Sequence, residues 1–236
     1  MSRRDRVALA LKDVLPIMLA YFPLSITFGV LAAASGVPWH TSIFSSIWIY
    51  SGGAQFMLIS MLDTATAPTT IIATILLVNM RHILYGATMG PNLAHWREPL
   101  KWLAAVGLTD ESFVVTYNRA AAGEKLAPSY YLTFALAAYG SWIAGTVVGA
   151  GIGEIVPSEA AAVLSFALPA LFLALLFAGE RTLPHLLAAC TGAALATLAG
   201  LMNLGGIGLI SGGLIGATAG QLLYRQRSRI SKQAKS

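Results

Sequence analysis

Between Val14 and Tyr224 the sequence is a succession of apolar runs, most of them close to twenty residues long, separated by connections of only a few residues. Runs of that length match the hydrocarbon core of a bilayer, about 30 Å thick, which takes about 20 helical residues to cross. Inside hydrocarbon no water satisfies the backbone N–H and C=O groups, so only helices and closed barrels are viable. Barrel strands would alternate apolar and polar positions over about ten residues, and a run such as Ala160–Ala178 shows no alternation. The expected fold is therefore all-α: a polytopic integral membrane helix bundle of seven to eight segments, with broken helices and two three-helix repeats. A soluble globule is excluded, because only 11% of the 236 residues are charged, against roughly 25% in an ordinary soluble domain.

The segments fall at 14–35, 40–62, 68–90, 99–122, 129–153, 160–178, 184–203 and 206–224. Gly36-Val37-Pro38, Thr66-Ala67-Pro68, Ala127-Pro128 and Val156-Pro157 mark helix starts, since proline suits a helix's first turn. Val37-Pro38 and Val156-Pro157 lie 119 residues apart, each after a glycine-containing segment, which suggests an internal repeat with a substrate site where the halves meet.

The net charge of +5 comes mostly from the two ends. Arg3, Arg4, Arg6 and Lys12 lie in a basic N-terminus at 1–13, and Arg225, Arg227, Arg229, Lys232 and Lys235 in a basic tail at 225–236, flanking a transporter-like body at 14–224. The positive-inside rule puts both termini in the cytoplasm of a multi-pass inner-membrane protein and points away from nucleic acid. The run from Val14 exceeds a signal peptide's apolar core and reads as a retained span. One conflict stands out. If all eight segments cross, Arg97 and Lys101 face outward while Arg119 and Lys125 face inward; if segment 99–122 dips in and returns, a second segment must do the same to keep both termini inside.

Ionisable residues inside apolar runs are costly, about 2.5–3.5 kcal/mol for an arginine at mid-bilayer, and so mark functional positions. The third segment carries Asn79, Arg81, His82 and Tyr85 on one half of a helix, with Leu77, Met80, Ile83 and Leu84 on the other. Arg81 would bind an anion, tie helices together or snorkel to an interface; His82 is read as a titratable neighbour or a packing residue. Segment 99–122 holds Asp110 and Glu111, which lie 100° apart on a helix and so have different partners. They are candidates for proton coupling or for an ion pair with Arg81. In the second segment Ser51-Gly52-Gly53-Ala54-Gln55 can unwind a helix, leaving the N–H groups at Gly52 and Gly53 for a carboxylate and the Gln55 amide for substrate or a neighbouring helix.

Glycine recurs every fourth residue at Gly145, Gly149 and Gly153 and at Gly208, Gly212, Gly216 and Gly220, stripes that let helix backbones approach closely. One stripe is expected to pack within the chain and the other at a subunit interface. The lone Cys190 allows no intrachain disulfide; no metal site and no cofactor are expected.

The blocks Phe22-Pro23 to Phe28-Gly29, Ser51 to Phe56, Val78 to Gly86 and Thr109 to Phe113 together resemble the AzlC family, the large subunits of branched-chain amino acid exporters. The block Asn-x-Arg-His-x-x-Tyr-Gly at 79–86 is the most specific. The resemblance implies export of leucine, isoleucine, valine and methionine, and a small membrane partner of the AzlD type. From the residues themselves, a zwitterion needs an anion-binding group (Arg81 or the Gly52 and Gly53 amides), a cation-binding group (Asp110 or Glu111) and an apolar pocket. No ATP-binding loop is present, so an ion gradient must drive export, and protons are favoured because His82, Asp110 and Glu111 can titrate. A passive channel and, more remotely, an intramembrane enzyme are the competing classes; no catalytic residues are assigned.

Overall fold

The computed structural model describes residues 2–153, 155–164, 166, 170, 173, 182–202 and 205–233. Among these every regular element is a helix. The chain divides into two units, residues 1–169 and 170–236. The first contains α1 (Arg3–Ala34), α2 (Trp39–Trp48), α3 (Gly52–Asp63), α4 (Pro68–Asn79), α5 (Arg81–Leu93), α6 (Glu98–Val106), α7 (Asp110–Ala121), α8 (Pro128–Ile152) and α9 (Ser158–Leu164). The second contains α10 (Leu183–Leu201) and α11 (Gly205–Gln233). Beyond Leu164 the expected 160–178 segment lies largely outside the described residues.

The prolines act as their spacing suggests: Pro68 and Pro128 sit in the first turn of α4 and α8, and Pro38 caps α2. The body of the first unit is the pair α1 and α8, packed in parallel. Arg6 Nε donates to Ser129 Oγ (3.0 Å) near one end and Ser141 Oγ to the Met18 carbonyl (3.2 Å) further along. Then Gly145 rests on Phe22 and Ser25, Gly149 on the Ile26 backbone and Gly153 on Val30 and Ala33, with no room for a methyl group at any of the three. The first glycine stripe is thus an internal contact, where dispersion between close backbones holds apolar helices together. Each member of the pair is followed by a Val-Pro linker and a new helix, α2 after α1 and α9 after α8.

Neither the 40–62 nor the 99–122 segment traverses this pair, so of the two arrangements left open by the sequence it is the one in which both segments turn back. From the C-terminal end of α1, α2 descends until Ser46 Oγ lies 2.8 Å from Thr146 Oγ1. The chain turns at Tyr50, and α3 climbs back: Gln55 meets Trp142, Phe56 and Ile59 pack on Phe28 and Ala32, and Asp63 accepts from Ser35 Oγ (3.0 Å), where α2 began. The mirror arrangement holds at the other end. Trp96 Nε1 donates to the Leu126 carbonyl (3.1 Å) beside the start of α8; α6 runs inward past Tyr131, and Gly107 packs against Ala135. The chain turns at Thr109, and α7 returns until Arg119 reaches Asp13 and Tyr130. These four helices have 9 to 12 residues each, about 14–18 Å at 1.5 Å per residue, half the thickness of a hydrocarbon core. Both hairpin tips therefore stop near the middle of α1 and α8, where Tyr21 meets Trp142 edge-on at 5.3 Å. Between the hairpins, α4 and α5 run on from one end of the pair to the other through a tightened turn at Met80, where the Met80 N–H bonds the Leu77 carbonyl (3.2 Å). Counting this Pro68–Leu93 rod as one, four helical stretches among the described residues are long and apolar enough to cross a membrane: α1, the rod, α8 and α10.

The returning hairpins dissolve the charge conflict. Arg97 and Lys101 at the start of α6 and Arg119 and Lys125 after its return gather at the same end as Arg3, Arg4, Arg6 and Lys12. Apart from Arg81, every lysine and arginine of the first unit lies there.

In the second unit α10 and α11 pack antiparallel. Gly212 lies on the Gly192 carbonyl and Ala196, Gly216 on Ala188 and Gly192, and Gly220 on the Pro184 carbonyl. The expectation that one stripe serves a subunit interface is corrected: Gly145, Gly149 and Gly153 are covered by α1, and Gly212, Gly216 and Gly220 by α10. The surroundings of Gly208 lie outside the described residues. α11 continues as helix past Tyr224 to Gln233.

Candidate functional site

The site is built where the tip of the α6–α7 hairpin meets the α4–α5 rod. Arg81 opens α5 and Tyr85 follows one turn later, so both side chains leave the same face. They converge on one carboxylate: Arg81 Nη1 lies 2.7 Å from Asp110 Oδ2, and Tyr85 OH donates to Asp110 Oδ1 at 2.6 Å. The Tyr85 ring stacks on Phe113 (4.5 Å), and Phe113 on Tyr117 (5.4 Å), fixing α5 against α7. The opposite face of the rod behaves as its apolar pattern suggests: Leu77, Met80, Ile83 and Leu84 are exposed.

Asp110 and Glu111 are not mid-helix residues. They form the first turn of α7, which begins at Thr109 with a reciprocal cap: the Ser112 N–H donates to Thr109 Oγ1 and the Thr109 N–H to Ser112 Oγ. Both carboxylates thus sit at the positive end of the helix. Being adjacent, they diverge: Asp110 turns to Arg81 and Tyr85, whereas Glu111 accepts from the Tyr21 hydroxyl of α1, which also lies 3.0 Å from Thr109 Oγ1. Among the described residues no cation is within ion-pair distance of Glu111.

Arg81 is incompletely bonded. Its Nε is buried without a hydrogen-bond partner, and so is Oδ1 of Asn79, two residues earlier. A buried donor or acceptor left unpartnered ordinarily costs about 1–3 kcal/mol, more when charged, which makes these two atoms candidates for contact with a ligand. His82 Nδ1 lies 3.1 Å from the Asn79 carbonyl, and its ring meets Tyr85 edge-on.

The tip of the other hairpin interrupts a helix where the two glycines suggested a break. α2 ends at Trp48, Tyr50 takes a positive φ of 36°, and α3 restarts at Gly52 after an extended Ser51. Gly52 faces Trp142 so closely that an added Cβ would lie 2.7 Å from the indole. Gln55, read as a partner for substrate or for a neighbouring helix, has its amide bonded to neighbouring helices. Its Nε2 donates to Ser45 Oγ (3.1 Å) and Ser46 Oγ (2.9 Å) and its Oε1 accepts from Trp142 Nε1 (2.8 Å), tying α2, α3 and α8. Tyr50 OH and Ser51 Oγ are buried and unpartnered. Sequence reasoning passed over Tyr21, Tyr50, Ser51 and Trp142, because aromatics and serines in apolar runs carry no signal until distant segments meet; the one available hint was that Tyr50 and Ser51 flank the glycine pair.

Comparison with known proteins places this arrangement. The family model described as AzlC protein matches residues 16–156, the stretch that contains both hairpins and the ion pair. A membrane protein of Archaeoglobus fulgidus is 34% identical, with 85% of this chain and 88% of that protein aligned. Inner membrane protein YgaZ of Escherichia coli is 33% identical over 80% of this chain and 79% of its own length. The branched-chain amino acid transport protein AzlC of Bacillus subtilis is 27% identical over 73% and 69%. No solved structure matches. The chain is a helical membrane protein that belongs to the AzlC family.

Proposed function

We propose that this protein is a secondary transporter that exports branched-chain amino acids, with leucine, isoleucine, valine and methionine as substrates, under a proton gradient and together with a small membrane subunit of the AzlD type. The observation that carries the reading is the half-used Arg81, paired with Asp110 on one nitrogen and open on another, at mid-depth between two broken segments. A carrier needs such a group, because a charge neutralised by a protein partner can cross apolar surroundings and still be exchanged. Protonation of Asp110 would release Arg81 and Tyr85 together, which couples a proton to the movement of α5 against α7. The substrate's place lies among Arg81, Asn79, Tyr85 and the start of α3 at Gly52 and Gly53, facing Glu111. The partner subunit and the substrates rest on the family and on the name of the Bacillus subtilis relative.

In this reading the basic end of the α1–α8 pair faces the cytoplasm, so the α6–α7 hairpin is re-entrant from the cytoplasmic side and α2–α3 from the opposite side. The test is counterflow in proteoliposomes. Preloaded unlabelled leucine should accelerate uptake of labelled leucine, and an imposed pH gradient should drive net movement. A channel gives no acceleration. Equal tolerance of a toxic leucine analogue in cells with and without the gene, where no redundant exporter exists, overturns the substrate assignment.

A further inference from the structure

We propose that the tip of the α2–α3 hairpin is the carboxylate subsite for an α-amino acid, formed by Tyr50 OH, Ser51 Oγ and the N–H groups of Gly52 and Gly53, with the substrate's ammonium held by Glu111 of the opposing tip. This deepens the transport reading and rests on it.

Three observations converge. First, the start of α3 is an uncapped helix N-terminus: Ser51 occupies the capping position yet makes no side-chain bond to the first turn. The first helical bond runs from the Gln55 N–H to the Ser51 carbonyl (2.9 Å), which leaves the N–H groups of Gly52, Gly53 and Ala54 without an intrahelical acceptor. Second, two hydroxyl side chains stand at that terminus with nothing to bond. Tyr50 is 7% exposed and Ser51 6%, and both oxygens are buried without a partner. Hydroxyl groups withdrawn from water beside the free N–H groups at the positive end of a helix can all donate to one anion. Third, the two tips are joined through one pair of rings: Glu111 accepts from the Tyr21 hydroxyl, Tyr21 meets Trp142 edge-on at 5.3 Å, and Trp142 covers Gly52, so an anion subsite and a carboxylate that lacks a counter-ion lie near one another in the middle of the first unit. That pairing of opposite poles at short range matches the free ammonium and carboxylate of an amino acid.

The same comparison removes Arg81 as the main carboxylate ligand. Its charge is already offset by Asp110, so an incoming anion meets a neutral pair there, whereas the acidic side chain near the α3 terminus, Glu111, has no counter-ion among the described residues and is the one that the substrate's ammonium neutralises. Arg81 governs turnover, and the tip governs affinity and the requirement for a carboxylate.

The experiment measures binding of labelled leucine to the purified protein, retaining any small subunit that co-purifies, with competition by leucinamide and by 4-methylpentanoate, and then measures transport in proteoliposomes. Tyr50→Phe keeps the ring that packs edge-on against Tyr139 at 4.6 Å, and Ser51→Ala is a small change. Each should weaken leucine binding about tenfold, the loss of one hydrogen bond to a charged group, and the double variant more. Maximal transport rate at saturating leucine should stay within about twofold, as expected for a group that binds ground and transition states alike. Competition by leucinamide, which has no carboxylate, should be unchanged in these variants. Glu111→Gln should weaken leucine while leaving 4-methylpentanoate, which has no ammonium, bound at least as tightly, since a like charge near its carboxylate is removed. Unaltered leucine affinity in the double variant overturns the subsite, and so does restoration of its affinity by added sodium, which would make the tip a cation site. If the wild-type protein binds leucine but shows no counterflow, the transport reading fails while the subsite stands; if it binds no leucine, the subsite falls.

Discussion

Two clusters in the first unit are made of the same parts, an arginine, an aspartate and a tyrosine hydroxyl, and they differ in how completely the parts are used. At the basic end, Arg119 Nε and Nη2 both donate to Asp13 Oδ2 (3.1 and 2.7 Å) and Nη1 donates to Glu124 Oε2 (2.6 Å). Tyr130 OH adds a bond to the same Asp13 oxygen (2.7 Å), and its ring lies under the guanidinium at 4.9 Å. At mid-depth, Arg81 has its bond to Asp110 and a buried Nε with none. Side-chain exposure does not separate them, 22% and 21% for Arg119 and Asp13 against 29% and 27% for Arg81 and Asp110. Saturation does. A guanidinium with every nitrogen engaged is a strut, here joining the end of α7 to α1 and α8. One with a spare donor has bonding capacity left, on which the proposed role of Arg81 rests, and residue type alone does not reveal which is which.

Removing each arginine should separate the two roles most sharply. Arg81→Ala leaves Asp110 without its cation, which lowers stability somewhat, and should reduce transport per folded molecule by roughly 100-fold or more, far beyond the loss of folded protein. Arg119→Ala should do the reverse, lowering the melting temperature and the yield of folded protein while transport per folded molecule stays within a few-fold. Equal effects on both readouts would erase the distinction.

Lysine substitutions sharpen it further, since lysine keeps the charge and loses the planar fork of donors. Arg119→Lys gives up most of a three-bond network and should cost about 1–2 kcal/mol of stability, measured by denaturation in detergent. Arg81→Lys can still reach Asp110 and should be as stable as wild type, yet transport about tenfold less well because the free Nε is gone.

The two carboxylates at the head of α7 are expected to differ in kind. If the proposed proton coupling runs through the carboxylate shared by Arg81 and Tyr85, Asp110→Asn should flatten the pH dependence of transport. Glu111→Gln should preserve that pH profile and act on substrate affinity. A pH profile abolished by Glu111→Gln and untouched by Asp110→Asn would exchange their roles. The smallest effects belong to the tyrosines. Tyr85→Phe and Tyr130→Phe each remove one hydrogen bond, about 1 kcal/mol, and Tyr85→Phe should appear as a roughly fivefold change in transport, Tyr130→Phe as a small loss of thermal stability.

Much of this protein was legible before any three-dimensional arrangement. The apolar runs require helices, because a backbone without water must satisfy itself locally. The break at Gly52 and Gly53, the polar face of Asn79, Arg81 and Tyr85, the divergence of Asp110 from Glu111 and the packing value of the glycine stripes all follow from spacing along a helix. Such properties depend on residues within one or two turns of each other, and local sequence determines them. The tertiary structure decided the rest. That segments 40–62 and 99–122 turn back at half depth depends on Ser46 finding Thr146 and Thr109 finding Tyr21, partners 100 and 88 residues away. Which carboxylate Arg81 takes, why Gln55 is consumed by Trp142 and two serines, and why the stripe at Gly212, Gly216 and Gly220 is closed by α10 are likewise matters of which surfaces meet. Local periodicity fixes which faces need covering; only long-range packing selects what covers them, and leaves Arg81 Nε, Tyr50 OH and Ser51 Oγ as the groups left over.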